Sequence, residues 1–146
     1  MKLNVCVVLL GALLLLALAG CGSDAAQPAE QNAGEPAVKY GELLELNDNR
    51  DEKGVVVVKA KIHPSTTNDL TVAQNFHNVV YLVENFGFDN CELQYWAVAD
   101  MADGSEGKAV SFTVPQDVVA QVAAGEVQAT ELPDLVADLW ILPSLT

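Results

Sequence analysis

The chain has 146 residues, 51% of them hydrophobic, and a formal charge of −13. This length suggests one domain, and the hydrophobic fraction is too high for a chain that is disordered throughout. The acidity argues against a nucleic-acid partner, because the phosphate backbone would repel such a surface.

The first twenty residues are far more apolar than the rest of the chain. Met1–Asn4 form a short, weakly positive start, and no charged or strongly polar residue occurs from Val5 to Ala19. That run is shorter than the about 20 apolar residues that span a bilayer. It fits the apolar region of a secretory signal peptide, and it ends in the small residues that a signal peptidase needs.

The run ends in Leu18-Ala19-Gly20-Cys21, which resembles the lipobox of bacterial lipoproteins at all four positions. The resemblance covers residues 1–21 and implies that 1–20 are a signal peptide, cut off before Cys21. In that family the cysteine thiol carries a diacylglyceryl group, and two acyl chains suffice for stable anchoring. We therefore expect a protein held on the extracytoplasmic face of the cell membrane through Cys21. The alternative is an ordinary secretory signal with an incidental cysteine.

Residues 21–38 are rich in Ala, Gln, Glu, Gly and Pro and show no apolar period. Such a segment predicts a flexible tether with a reach of roughly 20–25 Å. Cleavage before Cys21 would remove Lys2 and leave six Lys and Arg against twenty Asp and Glu, a formal charge of −14. Anionic lipid would repel this charge, so we expect the domain of residues 39–146 to stand off the membrane.

The domain begins with a predicted hairpin. Tyr40–Leu46 reads as a strand, residues 47–54 as a polar turn ending in glycine, and Val55–Ile62 as a second strand. The second strand places Val56, Val58, Ala60 and Ile62 on one side and Val55, Val57, Lys59 and Lys61 on the other. An amphipathic helix of about residues 69–85 follows, with Gly87 after it.

The second half predicts another hairpin and two helices. Strands over Cys91–Met101 and Lys108–Val114 flank the glycine-containing turn Asp103–Gly107. A short helix opens at Pro115 and ends at Gly125. A last helix follows Leu132-Pro133, with Leu135, Val136, Leu139 and Trp140 as its apolar face. The order β-β-α-β-β-α-α predicts an α+β two-layer sandwich, a four-stranded antiparallel sheet with helices on one face.

Three segments of this domain resemble small lipoproteins of Gram-positive bacteria. They are Gln94–Met101, Asp103–Gly107 and Trp140–Leu145. Those proteins have no assigned activity, so the resemblance implies no site.

Metal-ligating residues form only weak candidates. Asp100, Asp103 and Glu106 lie in and beside the second hairpin turn, and carboxylates near a glycine turn are ligands that Ca²⁺ accepts. Their spacing is not that of an EF-hand loop, and polar turns commonly have this composition. His63, His77 and Cys91 lack the spacing of a zinc site. We therefore predict no metal and no cofactor.

A catalytic nucleophile is not indicated either. Cys91 would need a positive neighbourhood to lower its pKa, whereas this domain is acidic and an unpaired cysteine is usually a small buried hydrophobe. Ser65 and Ser111 lie in no serine-hydrolase motif. We do not expect an enzyme.

Two surfaces remain as candidates for binding. One is the outer side of the long helix, where Gln74, His77, Tyr81 and Glu84 recur at helical spacing. The other is the sheet face away from the helices, which would carry Leu43, Glu45, Val55, Val57, Lys59 and Lys61. Three apolar residues beside paired lysines are more than a solvated face needs, so either a partner or a terminal helix should cover it.

These features favour a lipid-anchored interaction module that binds a protein or an envelope component through Val55, Val57, Lys59 and Lys61. One alternative is an accessory lipoprotein that binds a small ligand or a metal. Another is an immunity or surface-exclusion lipoprotein, whose acidity would suit a basic target.

Overall fold

The computed structural model describes residues 34–146. The expected signal peptide, the Cys21 lipidation site and residues 21–33 of the expected tether lie outside the described residues. No helix in the described part of the chain is long and apolar enough to cross a membrane.

Within residues 34–146, five strands and three α-helices make up the fold. The strands are β1 (Glu42–Asn49), β2 (Val55–Lys61), β3 (Glu92–Asp100), β4 (Glu106–Val114) and β5 (Ala137–Ile141). The helices are α1 (Arg50–Lys53), α2 (Asn68–Phe86) and α3 (Gln116–Ala123), and short 3-10 turns cover Leu132–Asp134 and Pro143–Leu145. The expected turn after β1 is shorter than predicted, because β1 runs on to Asn49 and α1 fills most of the remainder.

The sheet is five-stranded and mixed, in the order β1-β2-β3-β4-β5. Neighbouring strands are antiparallel except β2 and β3, which are parallel. The α+β class is confirmed, and the four-stranded antiparallel sheet is wrong. The parallel pair exists because α2 lies between β2 and β3 in the chain, and a helical crossover returns the chain to the end of the sheet from which it left.

The predicted last helix is wrong, because its residues form strand β5. Leu132–Asp134 make one 3-10 turn, and β5 then pairs with β4, placing Trp140 opposite Ser111 and Ile141 opposite Val110. Pairing with the free edge of β4 satisfies backbone groups that a short isolated helix would leave open at its ends. The observed order is therefore β-α-β-α-β-β-α-β.

The core lies between the sheet and helices α2 and α3, which pack on one face as predicted. Val56, Val58 and Ala60 of β2 are fully buried on this face. The Phe112 ring of β4 stacks between Phe76 of α2 and Tyr95 of β3, with centroid distances of 4.7 and 5.2 Å. The alternation read from β2 thus identifies the buried side correctly.

A satisfied polar network lies inside this core. The Asn78 amide donates to the Tyr95 hydroxyl at 2.9 Å, and that hydroxyl donates to Asn75 Oδ1 at 3.2 Å. Asn78 also bonds both backbone groups of Tyr40, accepting from its N–H at 2.7 Å and donating to its carbonyl at 2.9 Å. Burial raises the pKa of Tyr95 to about 12. The network attaches the segment before β1 to the middle of α2.

Asn78→Ala should lower the free energy of unfolding by about 2–4 kcal/mol, because it leaves the Tyr40 backbone and part of the Tyr95 hydroxyl without partners in the core. Asn85→Ala is the matched control on the same helix. The Asn85 amide is exposed and donates only to the Tyr81 carbonyl, so its loss should change stability by at most about 0.5 kcal/mol. Urea denaturation measures both, and equal losses would contradict the role of the network.

Candidate functional site on the open sheet face

The sheet face turned away from α2 and α3, called here the open face, carries one residue from every strand in a single row. Cross-strand pairing joins Glu45 to Lys59, Lys59 to Trp96, Trp96 to Ser111 and Ser111 to Trp140. Paired residues on neighbouring strands point to the same face, and strands lie about 4.8 Å apart. The row therefore crosses the whole sheet from edge to edge.

Both tryptophans of the chain lie in this row. Trp96 on β3 is 50% exposed and Trp140 on β5 is 37% exposed. Their proximity differs from the sequence prediction, because the apolar spacing around Trp140 favours a helix. Pro133 and Pro143 bracket this segment and leave it the length of a strand, which is the signal that favours β5.

Lys108 of β4 lies between the two indole rings. Its Nζ atom is 4.2 Å from the ring centroid of Trp140 and 6.0 Å from that of Trp96. These are cation–π distances, and such contacts are favourable at exposed sites. The contacts hold an ammonium group at the centre of an aromatic pair.

The four residues predicted as a partner surface, Val55, Val57, Lys59 and Lys61, all alternate away from the core and are partly exposed. Val57 and Lys59 line a depression of about 270 Å³ together with Glu45, Asn47 and Trp96. Leu43 does not belong to this face. A bulge between Leu43 and Glu45 turns Leu43 toward the core, where it packs, while Glu45 stays on the open face.

Lys61 bonds two of the three metal candidates. Its ammonium group is 2.8 Å from Asp100 and 3.0 Å from Glu106. The hydrogen bonds that Lys61 donates to these carboxylates raise its pKa above the usual value. The third candidate, Asp103, accepts instead from the backbone and hydroxyl of Ser105. Within residues 34–146 no group of three or more His, Cys, Asp and Glu side chains is placed to hold a metal ion.

Cys91 is fully buried beside the start of β3. Burial raises the pKa of its thiol, and the nearby charge of Arg50 offsets only part of that effect. The thiol therefore lacks the thiolate character that a nucleophile needs at neutral pH. His63 follows β2, and His77 lies on α2 beside Tyr40, with ring centroids 6.1 Å apart.

A cavity of about 340 Å³ lies on the helix side of the molecule, between α2 and the C-terminal segment. Phe76, His77, Ile141 and Leu145 are among its mostly apolar lining residues. It is the only described feature that brings the predicted helix row, through His77, to a concave surface.

Comparison with protein-family models, with curated proteins and with solved structures finds no match to this chain. The geometry of the open face therefore carries the functional interpretation.

Lys61→Gln should lower the melting temperature more than Lys59→Gln, which is the matched control two residues away. Without the Lys61 ammonium, Asp100 and Glu106 face each other across strands as like charges, which is destabilising. Lys59 makes no ion pair in the described part of the chain, so its loss should change stability by at most about 0.5 kcal/mol.

Thermal unfolding at low salt and in 1 M NaCl measures the difference in melting temperature. At the higher salt, charges are screened beyond about 3 Å. The deficit of Lys61→Gln should shrink in high salt. The contribution of Lys61 should also fade as the pH rises through its raised pKa, where the ammonium loses its proton. Equal melting of the two variants at low salt would contradict the account.

Proposed function

We propose that this chain is a lipid-anchored lipoprotein on the extracytoplasmic face of the cell membrane, and that its domain binds an envelope or protein partner through the open face. Catalysis is not part of this proposal. The Leu18-Ala19-Gly20-Cys21 motif supports the anchor. The observation that carries the binding role is the exposure of both tryptophans in one row of the sheet.

Exposed tryptophan is costly in a soluble domain and is concentrated at binding hot spots. Here the two rings share a face with Val57 and with the hydrogen-bonding side chains of Ser111 and Gln94. A large apolar anchor beside polar groups is the usual anatomy of a recognition surface. A sheet face that contacts only solvent would not require an exposed indole ring at either position.

The described lead-in to the domain leaves the tryptophan part of this surface accessible, and residues 35–37 lie beside its Glu45 end. Tyr40 is held by Asn78 on the helix side, and Val38 packs against the core. None of residues 34–41 lines the depression beside Trp96. A tether that joins the domain in this way would leave the open face available to a partner.

The apolar cavity beside Phe76 and His77 favours a second candidate function, the binding of a small ligand. Its size is at the lower end for ligand pockets, and apolar walls with a few polar groups are typical of them. This role would involve the helix side of the domain and would not explain why both tryptophans are exposed.

Cys21→Ser should release the protein from the membrane fraction, or leave it unprocessed with its signal peptide, because serine cannot carry the diacylglyceryl thioether. Fractionation with mass spectrometry of the N-terminal peptide measures the outcome, and Cys91→Ser is the matched control. A Cys21→Ser protein that stays membrane-bound at the processed mass would contradict the proposed anchor.

A thiol placed on the open face should be protected in intact cells. Ser111→Cys lies between Trp96 and Trp140, and the buried Cys91 contributes little background. We expect a membrane-impermeant maleimide to label this thiol several-fold more slowly in cells than in purified protein. Adding Trp96→Ala should remove the protection.

Ala120→Cys on the exposed side of α3 is the control and should react equally fast in both settings. This footprint does not depend on whether the occupant is a protein or another envelope component. Equal labelling of Ser111→Cys in cells and in purified protein would overturn the binding role of the open face.

A further inference from the structure

We infer that the partner of the open face is a glycan strand of the cell's own envelope that carries carboxylate groups. In this arrangement the strand crosses the sheet along the row, with sugar rings against Trp96 and Trp140 and carboxylates near Lys59 and Lys108. The inference rests on the proposed function, because it names the partner of the same surface.

The spacing of the two tryptophans matches a polymer of rings. Trp96 is on β3 and Trp140 on β5, and both pair with Ser111 of β4. Their backbones are therefore two strand intervals apart, about 10 Å. The apolar C–H faces of sugar rings contact aromatic rings well, and two indoles at this distance can hold two rings of one strand.

The shape of the surface also fits an extended chain. The row runs from Glu45 at the β1 edge to Trp140 on the β5 edge strand, and a depression follows it from β1 to β3. Between the rings lie the Ser111 hydroxyl and the Lys108 ammonium, which can bond sugar hydroxyls and carboxylates.

Charge on the open face selects for sparse carboxylates. Three of the five lysines that follow residue 21 lie on this face, namely Lys59, Lys61 and Lys108. The same face also carries four carboxylates, those of Glu45, Glu92, Asp100 and Glu106, so it can accept only a few anionic groups. Lys61 is already paired, whereas Lys59 and Lys108 form no ion pair within residues 34–146. The acidic remainder of the chain repels a densely anionic polymer, but an uncharged sugar backbone with scattered carboxylates avoids this repulsion.

A protein partner fits these observations less well. The central part of a protein interface is a packed apolar area rich in aromatic residues and depleted of lysine. Here the apolar groups are two separated rings, two half-buried valines and the largely buried Val98, with Lys59 and Lys108 among them. Sugar rings with carboxylates match this strip of indole rings and ammonium groups better than the packed apolar side chains of a protein partner would.

The test is co-sedimentation of the processed, detergent-solubilised protein with insoluble, protease-treated bacterial peptidoglycan, whose strands carry carboxylates. Trp96→Ala and Trp140→Ala should each weaken binding roughly tenfold, while Trp96→Phe and Trp140→Phe should retain most of it. Leu70→Ala is the control, because Leu70 on α2 is also 50% exposed and should leave binding unchanged. Melting temperatures confirm that each variant is folded.

The charge contribution is tested in the same assay. Lys59→Gln combined with Lys108→Gln should weaken binding several-fold, Lys53→Gln on α1 should not, and uncharged cellulose should bind more weakly than peptidoglycan. Absence of sedimentation, or sedimentation that neither tryptophan substitution changes, overturns the inference. If the open face is nevertheless protected in cells, its occupant is a protein or a different envelope component, and the proposed binding role stands. If that protection is also absent, both proposals fail.

Discussion

The packing of α2 against one face of the sheet, through Tyr95 and Phe112, decides which side chains the sheet presents to solvent. Val56, Val58 and Ala60 are buried in the core on that face, so their neighbours Val57 and Lys59 must point away from it. Because side chains alternate along a strand, a slip of one residue would bury both lysines of β2. The buried bonds of Asn78 to Tyr95 and Tyr40 fix α2 against β3 and against the segment before β1.

Strand β5 then completes the surface that this packing leaves open. Without β5, Trp140 would not lie beside Lys108, and Trp96 would be a single exposed ring on a polar face. The pairing of β5 with β4 thus adds a second indole ring to the face, and both rings lie near the Lys108 ammonium group. A local pairing at the sheet edge therefore connects the fold to the proposed binding of a partner.

Local patterns predicted most of the elements but not their arrangement. The alternation in Val55–Ile62 identified the core side of β2, and helical spacing with Gly87 identified α2 within one residue at each end. The parallel pairing of β2 with β3 is a long-range contact, so no short-range pattern encodes it. The apolar spacing of Leu135, Val136, Leu139 and Trp140 imitates a helix, and only the free edge of β4 makes it a strand. Half of the candidate site, Lys59 and Val57, was therefore predictable, and the tryptophan pair was not.

The most direct test of this account follows the two indole N–H signals in an ¹H–¹⁵N NMR spectrum, since the chain contains only two tryptophans. Soluble glycan fragments released from peptidoglycan by a muramidase are titrated into the protein. The account predicts that both indole signals shift together with the backbone amides of Lys108 and Ser111, while those of Phe76 and His77 stay in place. Shifts confined to Phe76 and His77, with both indole signals unmoved, would contradict it.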